Sequence, residues 1–175
     1  MFDCHYSCLR TTSPRSLDED RSISREFIAQ STLRRSTVPR DGGDLLHAAE
    51  AGSFEEVVEI LEAGVSVDYQ DCEGRSALMF AAMHNHAIVV LELLKMKANV
   101  DLPTKHGASA LGLACWRGSE ETMLILLDAR ANLEGVMEGG KSALMWAAEA
   151  NSAKSVNILL ERRSDVSYQC AEGNT

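Results

Sequence analysis

Gly74-Arg-Ser-Ala-Leu-Met-Phe-Ala-Ala82 and Gly140-Lys-Ser-Ala-Leu-Met-Trp-Ala-Ala148 are almost the same nonapeptide. They start two steps of 33 residues apart, and a looser copy, Gly107-Ala-Ser-Ala-Leu-Gly-Leu-Ala-Cys115, stands at the step between them. The period extends outward in both directions. Leu45, Leu78, Leu111 and Leu144 keep it, as do the small pairs Ala48-Ala49, Ala81-Ala82, Ala114-Cys115 and Ala147-Ala148. So do the bulky pairs Ile60-Leu61, Leu93-Leu94, Leu126-Leu127 and Leu159-Leu160, and the glycines run on to Gly173. Self-similarity at one fixed period marks a chain built by stacking copies of one supersecondary unit.

Each unit has a physical reading. Asp71-Cys-Glu-Gly74 has the residue order of a type I turn. Ser76, Ser109 and Ser142 follow as N-cap oxygens for a first short helix. Gly52, Asn85, Gly118 and Asn151, residue types that tolerate positive φ, end that helix. A second helix starts after Ser53, His86, Ser119 and Ser152, and Ser53 with Glu56 has the spacing of a capping box. Its apolar positions, Val57, Ile60 and Leu61 in the first copy, fall at i, i+3 and i+4. The unit closes with extended segments such as Gly64-Val-Ser-Val-Asp68 and Lys97-Ala-Asn-Val-Asp101. Two short helices per 33 residues cannot enclose a core, so each unit buries its faces against the next in an all-α solenoid.

The period together with this helix–turn–helix–hairpin pattern resembles the ankyrin-repeat family. The resemblance covers residues 41–169 as four repeats, 41–70, 71–103, 104–136 and 137–169, with 170–175 as the start of a truncated fifth. It implies helix pairs joined by β-hairpin-like turns. The family pattern Thr-Pro-Leu-His is replaced by Ser-Ala-Leu-Met at 76–79 and 142–145 and by Ser-Ala-Leu-Gly at 109–112. The helix-starting Pro and the bridging His of that pattern are therefore missing, and Gly112 weakens its helix by about 0.8–1 kcal/mol relative to Ala. Glu55, Glu56, Glu59 and Glu62 suit a polar cap at the first repeat. The last repeat lacks such a cap, from which a longer array is expected.

The first forty residues are of another kind. They hold seven Arg, five acids and eleven Ser or Thr, a net +2, whereas 41–175 holds ten basic and 21 acidic residues, a net −11. The two sum to the −9 of the whole chain. Such a composition does not bury enough surface to offset ordering entropy, so 1–40 is expected to be a disordered tail. Ile23, Phe27 and Ile28 lie at helical spacing within it. Thr37, after Arg34-Arg35-Ser36, and Ser13, before Pro14, are its candidate phosphosites. Asp18-Glu19-Asp20 argues against an organelle transit peptide, and Met1–Arg10 lacks the apolar segment of a secretory signal.

Composition excludes several function classes. An acidic array beside an Arg tail diluted by acids, without interleaved aromatics, is a poor nucleic-acid footprint. The longest apolar runs, 87–94 and 122–127, are far short of the ~18 residues a membrane span needs. Five cysteines, an odd number, with no signal sequence point to reduced thiols and a cytoplasmic or nuclear protein. The sequence holds neither a glycine-rich phosphate loop nor a Gly-x-Ser-x-Gly elbow. Cys4-His5-x-x-Cys8 lacks a second ligand pair at zinc-site spacing. No enzyme activity, cofactor or metal is therefore expected.

The resemblance implies that a partner protein binds on the hairpin tips and on the residues that end each first helix. On this chain the helix positions are Glu50, Met83 with His84, Trp116 with Arg117, and Glu149. The tips supply Arg75, Lys105, His106 and Lys141. Trp and Arg are enriched in binding hot spots. One reading is a central apolar and aromatic anchor, flanked by Glu50 and Glu149, that takes a basic or amphipathic peptide. In the other, Trp116 folds down over its neighbour and Arg117 is solvated. Trp146 shares its column with Phe80 and Leu113 and is expected to pack in the core. The function expected is a protein-binding adaptor; the alternative is the recognition arm of a larger enzyme or channel.

Overall fold

The computed structural model describes residues 41–133 and 140–162, with Ser164, Val166, Ser167 and Gln169. The expected tail with Thr37 and Ser13, residues 134–139 of the third hairpin tip and the start of a fifth repeat lie outside the described residues. Eight helices are found among those described: α1 Gly42–Ala51, α2 Phe54–Glu62, α3 Ala77–Met83, α4 Ala87–Lys95, α5 Ala110–Arg117, α6 Glu120–Asp128, α7 Ala143–Glu149 and α8 Ala153–Glu161. They form the expected helix pairs. The first helices α1, α3, α5 and α7 pack in succession as one layer, and the second helices α2, α4, α6 and α8 as another. The chain folds as an all-α solenoid.

The columns that repeat in sequence make the seam between the layers. Leu45, Leu78 and Leu111 from the first helices, and Ile60, Leu93, Leu126 and Leu159 from the second, are at most 1% exposed. The small pairs are buried as well, from Ala48 and Ala49 to Ala114 and Cys115. A buried residue without branches lets the next first helix approach closely. The predicted breaks carry positive φ, at Gly52 (74°), Asn85 (57°), Gly118 (69°) and Asn151 (53°).

Two capping expectations are corrected. Ser53 makes no side-chain cap bond. The reciprocal box forms instead at Asp41 and Asp44, where each carboxylate accepts the other's backbone N–H at 3.1 Å. The same three-residue spacing stands there, and a carboxylate caps as well as a hydroxyl does. Of the three first-helix serines only Ser109 caps, accepting from the Gly112 amide at 3.3 Å. Ser76 and Ser142 are buried and make no such bond.

The turns stack by repeated hydrogen bonds. The Asn99 amide donates to Asp68 and the Asn132 amide to Asp101, both at 2.8 Å and both across one repeat boundary. The Lys105 amide donates to the Glu73 carbonyl at 2.9 Å. That contact explains Gly74, whose φ is +79° and whose absent Cβ would stand 3.0 Å from the Lys105 nitrogen. His86 Nε2 lies 3.0 Å from the Glu50 carbonyl. A carbonyl only accepts, so this ring nitrogen carries the proton. His86 thus restores a side-chain link between repeats where the Thr-Pro-Leu-His histidine is missing.

A candidate protein-binding groove

Residues three apart on a helix share a face. On the first helices the pairs His47/Glu50, Phe80/Met83, Leu113/Trp116 and Trp146/Glu149 form such stripes, each at the same place in its repeat. The two middle stripes are wholly apolar, and the fourth begins with Trp146. Where these stripes meet the turns of the second and third repeats they line a groove of about 340 Å³. Its walls are Met79, Phe80, Met83, Leu113, Trp116 and Trp146, with Glu73, Arg75, Thr104, His106 and Ala108 on the turn side.

The two tryptophans, the only two in the chain, meet edge to face, with ring centroids 5.9 Å apart at 87°. That geometry sets the positive edge of one ring against the negative face of the other. Trp116 remains 45% exposed, with the Arg117 guanidinium 5.6 Å from its ring centre. Trp116 therefore both covers its neighbour's ring and presents a face to solvent. Trp146 does not fit the purely internal role expected of it. It packs against the core but is itself half-buried on the groove wall. Its Nε1 is buried without a hydrogen-bond partner.

On the turn side the Arg75 guanidinium lies 5.0 Å from the Phe80 ring centre and is held by Asp71, with Nε to Oδ2 at 2.7 Å. Burial works against ionisation of Asp71. Hydrogen bonds from the Arg75 amide, the Arg75 side chain and the Glu73 amide outweigh it, and they hold the carboxyl below its usual value. His106 Nε2 lies 3.7 Å from Glu73 at the groove's edge.

Of the predicted binding residues, the groove brings together Met83, Trp116, Arg75 and His106. Arg117 adjoins it through Trp116. His84 stacks on His86 with centroids 6.0 Å apart, and its buried Nε2 has no partner. Glu50, Glu149, Lys105 and Lys141 do not line the groove. Glu149 is ion-paired with Lys141, so the two are not independent charges. The walls therefore differ from the expected acid-flanked anchor: their one acidic residue is Glu73. Phe80, Leu113 and Trp146 were missed as wall residues. The signal that marks them is the i, i+3 relation to Met83, Trp116 and Glu149.

Residues 45–135 match the family model for three copies of ankyrin repeats, and residues 139–171 match a single ankyrin repeat. The chain belongs to the ankyrin-repeat family. Among curated proteins it is similar to Rabankyrin-5 of Mus musculus and of Homo sapiens, 30% identical over 96 residues in both cases. Each match covers 47% of this chain and 8% of the relative's length. Ankyrin repeats generally mediate protein–protein interaction and are typically non-catalytic. Among the described residues no helix is long and apolar enough to cross a membrane.

Proposed function

We propose that this chain is a protein-binding adaptor whose groove seats an apolar side chain of a partner's amphipathic segment. The observation that carries the reading is the composition of the groove: six apolar walls, two of them tryptophans set edge to face, with one tryptophan still open to solvent. Aromatic side chains in a concave, water-excluding setting are the usual anchors of protein interfaces. Basic residues beside the anchor are favoured by the −11 net charge of residues 41–175, worked out above. The proposal places the adaptor in the cytoplasm, supported by free cysteines at buried Cys115 and exposed Cys72.

The test is selection of displayed peptides on the full chain, followed by titration of intrinsic tryptophan emission. Both fluorophores line the groove, so a peptide seated there shifts the emission. Met83→Ala/Trp116→Ala is expected to weaken such peptides by at least tenfold. Peptides that bind without changing emission, and equally well to the double variant, would place the binding surface elsewhere. A second reading, the recognition arm of a longer protein, is favoured by matches that cover only 8% of long relatives. Transcript sequence beyond codon 175 tests it.

A further inference from the structure

The second helices carry their own outward stripe, on the layer that does not line the groove. Positions i, i+3 and i+7 read Glu55-Val58-Glu62 on α2, Ile88-Leu91-Lys95 on α4, Glu121-Leu124-Asp128 on α6 and Lys154-Asn157-Glu161 on α8. Neighbouring copies are in register, because α2, α4 and α6 pack side by side. Val58, Leu91 and Leu124 thus form a row that crosses three helices, with Ile88 one turn before Leu91. Ile88 is 68% exposed, Leu91 54% and Leu124 40%. Ile88 also borders a cleft of about 280 Å³ with His86 and Glu121.

Two facts separate this row from ordinary scattered surface residues. It is contiguous, and contiguity of exposed apolar surface is what marks an interaction site. Around it, acidic side chains also outnumber basic ones, Lys95 and Lys154 being the cations of the stripe. In the column of Ile88 the flanking copies hold Glu55 and Glu121, and Glu62 lies beyond Val58 on α2. None of these three is ion-paired among the described residues. Three cations of this layer are ion-paired, Lys95 with Glu92 at 3.0 Å, Lys154 with Glu120 at 3.1 Å and Arg162 with Asp128 at 2.8 Å.

The geometry points to a second docking surface here for a basic amphipathic helix of a partner protein. Its apolar side chains lie along Ile88, Leu91 and Leu124, and its Lys or Arg residues face Glu55, Glu62 and Glu121. An apolar stripe with acidic rails selects that pattern: apolar contact supplies affinity, and charge complementarity fixes orientation and speeds encounter. The inference stands apart from the groove, with which it shares no residue.

The probe is a fluorescent synthetic helix with Leu at i, i+3, i+4 and i+7 and Lys elsewhere, titrated into the full chain and read by anisotropy. Ile88→Ser/Leu91→Ser leaves the charge unchanged and is expected to weaken binding at least tenfold. Glu55→Gln/Glu62→Gln/Glu121→Gln is expected to weaken it and to flatten its salt dependence. Trp116→Ala, at a groove residue, is expected to weaken it less than Ile88→Ser/Leu91→Ser does, which separates this surface from the groove. Far-ultraviolet circular dichroism confirms that each variant is folded, and Ile88→Lys alone serves if the double variant is not. Equal binding by Ile88→Ser/Leu91→Ser, or by a probe with Glu in place of Lys, overturns the inference. So does self-association of the wild-type chain in sedimentation that the double variant abolishes, since a second copy then covers the row.

Discussion

Replacing Trp116 by Ala tests whether the groove is built as described. The side chain is 45% exposed, so a little over half of it is withdrawn from water. A large aromatic buries about 150–250 Å² in full. Half of that, at about 25 cal/mol per Å², is about 2–3 kcal/mol. The edge contact with Trp146 adds about 0.5–1.5 kcal/mol. Compactness of the unfolded chain removes a comparable amount from the area term. Truncation widens an open groove and leaves no sealed void, so no cavity penalty applies. The expected loss is about 2–3 kcal/mol by urea unfolding followed by circular dichroism, with an unchanged denaturant slope. Leu111→Ala is the internal standard. Leu111 is 1% exposed, and its loss creates an enclosed void worth about 3–5 kcal/mol in total. The smaller side chain is therefore expected to matter more. A loss below about 1 kcal/mol for Trp116→Ala would mean that the ring is not packed on Trp146. A loss equal to that of Leu111→Ala would mean that it is a core residue, and the groove reading fails.

Other expectations follow from single sites. Lys97 and Arg130 hold φ near +65°, where a side chain is strained, so Lys97→Gly and Arg130→Gly are each expected to stabilise by about 0.5–1 kcal/mol; a destabilisation of either in urea melts contradicts this. Because the folded-state pKa of Asp71 is lowered, its contribution is complete above the unfolded carboxyl value of about 3.9 and is lost as pH falls further. Asp71→Asn should accordingly lower stability at neutral pH and shrink the acid-dependent part of the unfolding curve. Burial pushes the Cys115 thiol up to about 12, so at pH 8 iodoacetamide should leave the Cys115 peptide unlabelled in the native chain and label it in urea, as peptide mass mapping will show.

The fold was legible because its determinants repeat. Leu45, Leu78, Leu111 and Leu144 show one period, and the breaks at Gly52, Asn85, Gly118 and Asn151 adopt the backbone that their residue types suggest. What was not legible depends on choices between equivalent partners. A Ser-x-x-Glu box and an Asp-x-x-Asp box look alike in sequence, yet only the second forms, at Asp41 and Asp44. The pairing of Lys141 with Glu149 joins residues eight apart across a helix start, which neither helical nor extended spacing predicts. Trp146 was misread for a different reason. Its column is buried at Phe80 but already half-buried at Leu113, and Trp146 stands on the last first helix described, beyond which no further described helix pair covers it.

The repeat itself says where to look for function. A column filled alike in every copy is one the stacking requires, as with Leu45, Leu78, Leu111 and Leu144. A column whose copies disagree is released from that requirement, and its contents answer to something outside the repeat. His47, Phe80, Leu113 and Trp146 disagree, as do Glu50, Met83, Trp116 and Glu149, and Phe80, Met83, Leu113, Trp116 and Trp146 of these columns line the groove. Glu55, Ile88, Glu121 and Lys154 disagree too, on the other helix layer, and frame the outward row. The two surfaces share no side chain and sit on separate layers. The stability effects of Trp116→Ala and Ile88→Ser/Leu91→Ser should then add to within about 0.5 kcal/mol in the combined variant. A larger coupling would show that the layers transmit strain to each other, and that a partner on one face alters the other.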